Sequence, residues 1–288
     1  MILFLLALSI LLSTGRNILS KNLSNIRFGT RDFFIYQAAL FLSGGAMLLI
    51  FGNGIWNGCS HITVYLAILY GALLIFAQWF YTAALAKGNT ALCSTVYSLG
   101  FILPTLSGVV FWSEPFSLLD AFGILCAAGA VIASGFKPQS ENRDGRSHYY
   151  IFLIIAMLAS GGLGIVQKLQ QKSAYAEEKS AFLLIAFLIA AAASLIVSPF
   201  AKKPDKSSLR PTKLAVAACI GACFGCCNLL NTTLAGQLPS AVFFPTLNIG
   251  VILLSMICGV ILFKERLAKR DVCVLLLGGI AILLLNVG

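Results

Sequence analysis

Charge is scarce in this 288-residue sequence. Only 10% of residues are Asp, Glu, Lys or Arg, with 10 acids, 20 bases and 2 His. A soluble domain carries roughly 25% charged and about 45–50% apolar residues. Here 59% are apolar and the mean hydropathy is +0.93, more than a globular core can bury. The composition therefore excludes a soluble protein and indicates an all-α integral membrane protein. With about 20 apolar residues per span, about ten to twelve helices fill the chain and leave no room for a soluble domain.

The scarce residues also sit in the wrong places for chemistry. Both His, His61 and His148, fall in loops, and all ten acids fall in loops or at span ends. An intramembrane enzyme needs a catalytic set such as a Ser–His pair, clustered acids or a metal, so no enzymatic activity is expected. The nine Cys lie almost entirely in apolar runs, where a thiol behaves as a small hydrophobe. Cys223, Cys226 and Cys227 form a CxxCC cluster, but zinc takes further ligands and no His stands near. Helix packing is the expected role, and no metal or cofactor is expected. The net charge of +10 is spread over loops, unlike the basic face of a nucleic-acid-binding protein, so no nucleic-acid partner is expected.

What is present is a series of apolar runs parted by turn and charge signals. They cover Ile2–Ser20, Phe33–Phe51, Ile62–Ala86, Thr90–Trp112, Leu118–Phe136, Tyr149–Gln170, Ala181–Phe200, Lys213–Ala235, Ser240–Phe263 and Val272–Val287. The first has no basic stretch before it and no small-residue cleavage site after it, so it is expected to be a retained span and not a signal peptide. The longest polar stretch, 137–148 (KPQSENRDGRSH), reads as a linker between a first five-helix repeat, 1–136, and a second, 149–288.

The halves match each other in order. Ser13, Gly15, Ile18 and Lys21 fall on Ser160, Gly162, Ile165 and Lys168. Gly71, Gln78, Tyr81 and Thr82 fall on Gly221, Asn228, Asn231 and Thr232. Thr95, Tyr97, Gly108, Glu114 and Asp120 fall on Thr246, Asn248, Gly259, Glu265 and Asp271. An odd number of spans per half inverts the second repeat relative to the first. Inverted repeats let secondary transporters expose one site to either side by exchanging the conformations of the halves.

Each repeat has a Gly-containing fourth helix that ends in Glu, in GVVFWSEPFSLLDAFGILCAAGAVIAS and GVILFKERLAKRDVCVLLLGGIAILLLN. In this the chain resembles the EamA-type proteins of the drug/metabolite transporter (DMT) superfamily over nearly its whole length. The resemblance implies export or exchange of metabolites and leaves the substrate open. It also implies Gly before each Glu, where this chain has Ser113 and Lys264.

Polar residues within apolar spans are costly and usually face a bundle interior or a wet cavity. Gln78, Tyr81 and Thr82 share one helix face, as do Asn228, Asn231 and Thr232, and Tyr97 and Asn248 stand on the fourth and ninth spans. The competing assignment is interhelical hydrogen bonding. Trp79, Phe76, Phe80, Phe243 and Phe244 border these faces and offer aromatic walls or plain packing. Gly221 and Gly225 form a GxxxG that permits close helix approach. Arg16 and Asn17 lie near the end of the first span. There a cation draws a carboxylate or phosphate, or snorkels to the interface. Lys21 and Lys168 are expected to snorkel, and Glu114 and Glu265 to cap helices.

With Gln78, Trp79, Tyr81, Tyr97, Asn228, Asn231, Asn248, Arg16 and Asn17 as substrate-binding candidates and no mid-span carboxylate, the expectation is a secondary, non-ATP transporter. Its substrates are small neutral, zwitterionic or anionic metabolites, such as amino acids, moved by alternating access in the plasma or inner membrane. The alternative is a lipid-linked substrate flippase or scramblase-like protein. The expected partners are a small-molecule substrate and the lipid bilayer, the chain acting as monomer or homodimer. Sixteen Lys and Arg lie in loops after odd-numbered spans and three after even-numbered ones. The positive-inside rule then places both termini outside, whereas the family resemblance implies cytoplasmic termini. A reporter that fluoresces only in the cytoplasm, fused after Gly288, stays dark under the charge reading and lights up under the other.

Overall fold

The structure is a computed structural model that describes residues 1–20, 29–55, 58–85, 90–135, 146–204, 209–263 and 269–287. Lys21, most of the linker, Lys264 and Glu265 lie outside the described residues. The described residues form α1 (Ile2–Ser20), α2 (Arg31–Phe51), α3 (His61–Leu85), α4 (Thr90–Ser98), α5 (Ile102–Trp112), α6 (Leu118–Gly135), α7 (Arg146–Lys172), α8 (Lys179–Val197), α9 (Pro211–Gln237), α10 (Ser240–Phe263) and α11 (Lys269–Val287). Among the described residues eight stretches are long and apolar enough to cross a membrane, with two shorter apolar helices at Leu118–Ser134 and Val272–Val287. The protein is an all-α membrane protein of about ten spans. The fourth span is broken into α4 and α5 by a 3-10 turn at Leu99–Phe101. Pro104 lacks an amide hydrogen and crowds the carbonyl four residues back, which accounts for the tighter turn. α7 runs beyond its apolar stretch to Lys172, and Gln167, Lys168 and Gln170 are buried within it.

By contact the chain forms two compact units. One is Met1–Ile75 with Val166–Gly236, the other Phe76–Ile165 with Gln237–Gly288. Each draws on both halves of the sequence.

In the first unit α2 packs against α8 around an aromatic core. Phe41 and Phe187 meet edge to face at 5.9 Å, and Phe187 lies 5.3 Å from Phe224 of α9. The GxxxG of α9 lets it approach α2 closely: an added Cβ at Gly221 would overlap the Leu40 carbonyl, and one at Gly225 the Gly44 carbonyl. At one end Glu178 Oε2 accepts hydrogen bonds from Ser60 N and Ser60 Oγ, both at 2.9 Å, and so ties the start of α3 to the start of α8. Partial burial and the nearby Glu178 charge raise the pKa of Cys59 in that loop.

In the second unit α6 packs along α11, with Gly123 against Leu285, and α10 packs on α5 and α11. Glu114 Oε2 accepts from Ser240 N at 2.6 Å and thereby caps α10, a role that suits a carboxylate at a helix N-terminus. Ser117 N donates to Asp120 Oδ2 at 2.8 Å and Asp120 N to Ser117 Oγ at 3.1 Å, a reciprocal cap at the start of α6. Ser113, where the family resemblance implies Gly, adopts the left-handed conformation (φ 48°, ψ 37°) that ends α5. That is the conformation Gly adopts most cheaply.

Candidate functional site

In the first unit α1 and α9 meet along an antiparallel polar seam. Ser9 Oγ donates to Asn231 Oδ1, Ser13 Oγ donates to Cys227 Sγ at 3.4 Å, and the Arg16 guanidinium lies 4.7 Å from the centre of the Phe224 ring. Residues 9, 13 and 16 recur at helical spacing and meet 231, 227 and 224 in reverse order, so one register serves all three contacts. The ring-face contact is favourable for a cation. Arg16 is half-buried and makes no ion pair among the described residues. Asn231 is also half-buried, and its amide nitrogen has no hydrogen bond among the described residues. Asn17 is exposed.

Asn228, one turn before Asn231, turns to different neighbours. Its Oδ1 accepts from Tyr70 Oη of α3 at 2.5 Å and from Gln167 Nε2 of α7 at 3.3 Å, while Gln167 Nε2 also donates to Tyr70 Oη at 2.9 Å. Its Nδ2 donates back to the Phe224 carbonyl at 2.8 Å. All three members are buried: Tyr70 at 1%, Asn228 and Gln167 at 5% exposure. Asn228 thus has its carbonyl fully engaged, whereas Asn231 keeps a donor to offer. Thr232 is buried, and its hydroxyl has no partner among the described residues. Lys168 does not snorkel; it is enclosed at 1% exposure, because α7 continues past it.

In the second unit Tyr81 and Tyr97 come together, ring centres 4.6 Å apart and tilted by 45°. Tyr81 packs on a small apolar cluster of Ala84, Cys93 and Leu153, with Phe152 beside it. Gln78 is half-buried, with no side-chain hydrogen bond among the described residues; its carbonyl accepts from Thr82 Oγ1 at 2.7 Å. Thr82 is thereby turned onto its own helix. Asn248 Nδ2 donates to the Phe244 carbonyl at 3.0 Å, leaving its Oδ1 as the group it can present. Trp79 is half-buried beside Gln78.

Sequence reading missed Tyr70 and the hydroxyl of Ser9. The available signal was a Tyr within the apolar run of α3, which by itself does not say which helix it faces.

The comparisons with known proteins fit this geometry. The model of the EamA-like transporter family matches residues 148–287. That family is part of the DMT superfamily. The protein is a multi-pass membrane protein, and the match suggests a transporter of the DMT type. A solved structure titled "Crystal structure of protein" superposes with a TM-score of 0.77 at 14% identity, covering 99% of this chain and 96% of that one. At that identity the likeness concerns the fold. No protein of curated function matches the chain in sequence.

Proposed function

We propose that the EamA-like chain is a secondary transporter of small metabolites that carry a carboxylate or phosphate, either anionic or zwitterionic. It works by alternating access between two inverted repeats, 1–136 and 149–288, in the plasma or inner membrane. The observation that carries the reading is Arg16. A guanidinium within a membrane span, resting on the Phe224 ring with no ion pair among the described residues, is costly in lipid and suits a solute that brings the counter-charge. In the first unit Asn231 retains a hydrogen-bonding group for neutral parts of such a solute, Asn17 stands exposed beside Arg16, and Asn228 holds the α9 face in place. In the second unit Gln78, Tyr97 and Asn248 retain hydrogen-bonding groups, and Tyr81 and Trp79 supply aromatic surface. The engaged carboxylates, Glu114, Asp120 and Glu178, sit at helix ends, which favours exchange or facilitated diffusion over proton coupling through a mid-span acid.

The test is counterflow in proteoliposomes preloaded with pooled amino acids, sugar phosphates and nucleotide sugars. Wild type is compared with the Arg16→Gln, Gln78→Ala double variant. Exchange of one class that the variant loses supports the reading. Lipid flipping without exchange of any solute favours the flippase alternative, which the lipid-facing side of α1 (Leu3, Phe4 and Leu11 exposed) would serve.

A further inference from the structure

Both ends of the α1/α9 seam present unused donors. Arg16 offers only N–H groups. Asn231 Oδ1 accepts from Ser9 Oγ, and the Asn231 amide N–H groups have no acceptor among the described residues. Between them Ser13 Oγ donates to Cys227 Sγ, which in turn donates to the Ser9 carbonyl. The Arg16 contact to Phe224 and the Ser9 contact to Asn231 are separated by seven residues on each helix, a rise of about 10 Å. Ser9 lies mid-way along α1, and Arg16 stands a turn from its end at Ser20.

From this we infer a two-point subsite on the first unit, deepening the anion reading above, on which it rests. The seam takes an elongated organic anion, with a carboxylate or phosphate on Arg16 and a second hydrogen-bond acceptor, a carbonyl or hydroxyl, about 10 Å away on Asn231. The inference rests on the register of the three contacts and on the unused donors at both ends. Short anions engage Arg16 alone. A lipid headgroup phosphate shares the chemistry of the first point, so the test must separate a free solute from lipid.

The probes are N-acetylated oligoglycine acids of one to four residues, in which acceptors recur about every 3.5 Å in extended chains. Binding is read as the thermal stabilisation of the full chain at increasing probe concentration, in nanodiscs of phosphatidylcholine with and without phosphatidylglycerol. The expected result is a step: apparent Kd falls about three- to tenfold between two and three residues, as one added hydrogen bond allows, and then levels. In Asn231→Ala the ratio between the diglycine and triglycine affinities drops to one. Arg16→Gln abolishes binding of the whole series, and Arg16→Lys retains it. The wild-type series decides the matter even if Asn231→Ala fails to fold. Equal affinity across the series, with Arg16→Gln still abolishing it, overturns the two-point subsite and leaves the anion reading standing. Binding indifferent to Arg16→Gln overturns that reading as well. Blocking of the series by phosphatidylglycerol in an Arg16-dependent way assigns the seam to a lipid headgroup and overturns the free-solute subsite.

Discussion

The seam between α1 and α9 has a counterpart in the second unit, where α7 stands for α1 and the end of α3 for α9. At the matched positions within that unit Ser9, Ser13 and Arg16 become Ala156, Ser160 and Leu163, while Cys227 and Asn231 become Ala77 and Tyr81. The first seam is polar and carries a cation. The second is apolar, with Ala84, Cys93 and Leu153 clustered under Tyr81 and Phe80 5.6 Å from Phe152. A shared feature, Gly71 with Gly221, governs how closely helices approach. At the differing positions the first unit carries a charge and the second an aromatic pair.

The comparison breaks most severely where packing is tightest. Gly225→Leu in the first unit forces a side chain into the Gly44 backbone, and overpacking of this kind costs about 1–3 kcal/mol or more. Gly129→Ala in the second unit meets only Leu277 Cδ1 at 3.9 Å and leaves the melting temperature near that of wild type. Thermal unfolding in detergent of the two variants checks the contrast, and equal losses would deny it.

Next in size is the buried network. Tyr70→Phe removes the donor to Asn228 and an acceptor for Gln167, leaving buried polar groups short of a partner at about 1–3 kcal/mol. Tyr97→Phe removes a half-buried hydroxyl with no partner among the described residues, and it lowers stability by less than about 0.5 kcal/mol. If Tyr97 touches substrate, that variant reduces counterflow while its stability holds. The smallest effect has the opposite sign. Ser113→Gly relieves a left-handed residue and raises stability by about 1 kcal/mol, seen as a higher melting temperature.

Much of the fold was legible because apolar run length and turn residues determine where spans begin and end. α1 coincides with the expected Ile2–Ser20, and the GxxxG of α9 packs as its spacing implies. The break in the fourth span needed Pro104 to be weighed against the helix around it. The candidate residues were legible as polar groups in apolar runs, but their partners were not. Helical spacing places Asn228 and Asn231 near one face, yet one turns to Tyr70 and Gln167 and the other to Ser9. That choice depends on how α9 is rotated against α1, α3 and α7, which Gly221 and Gly225 settle through contact with α2. The burial of Lys168 had the same origin: a basic residue near the end of an apolar run reads as interfacial until the helix is seen to continue.

The most direct test of the account is counterflow of a carboxylate-bearing solute in proteoliposomes by wild type, Arg16→Gln and Arg16→Lys. Charge-assisted hydrogen bonds contribute about 1.5–3 kcal/mol, so Arg16→Gln should lower the exchange rate at subsaturating solute by roughly 10- to 100-fold, with Arg16→Lys recovering a substantial part. Exchange unchanged in Arg16→Gln, with the protein folded and reconstituted to the same level, would contradict the claim that the first unit recognises its solute through that charge.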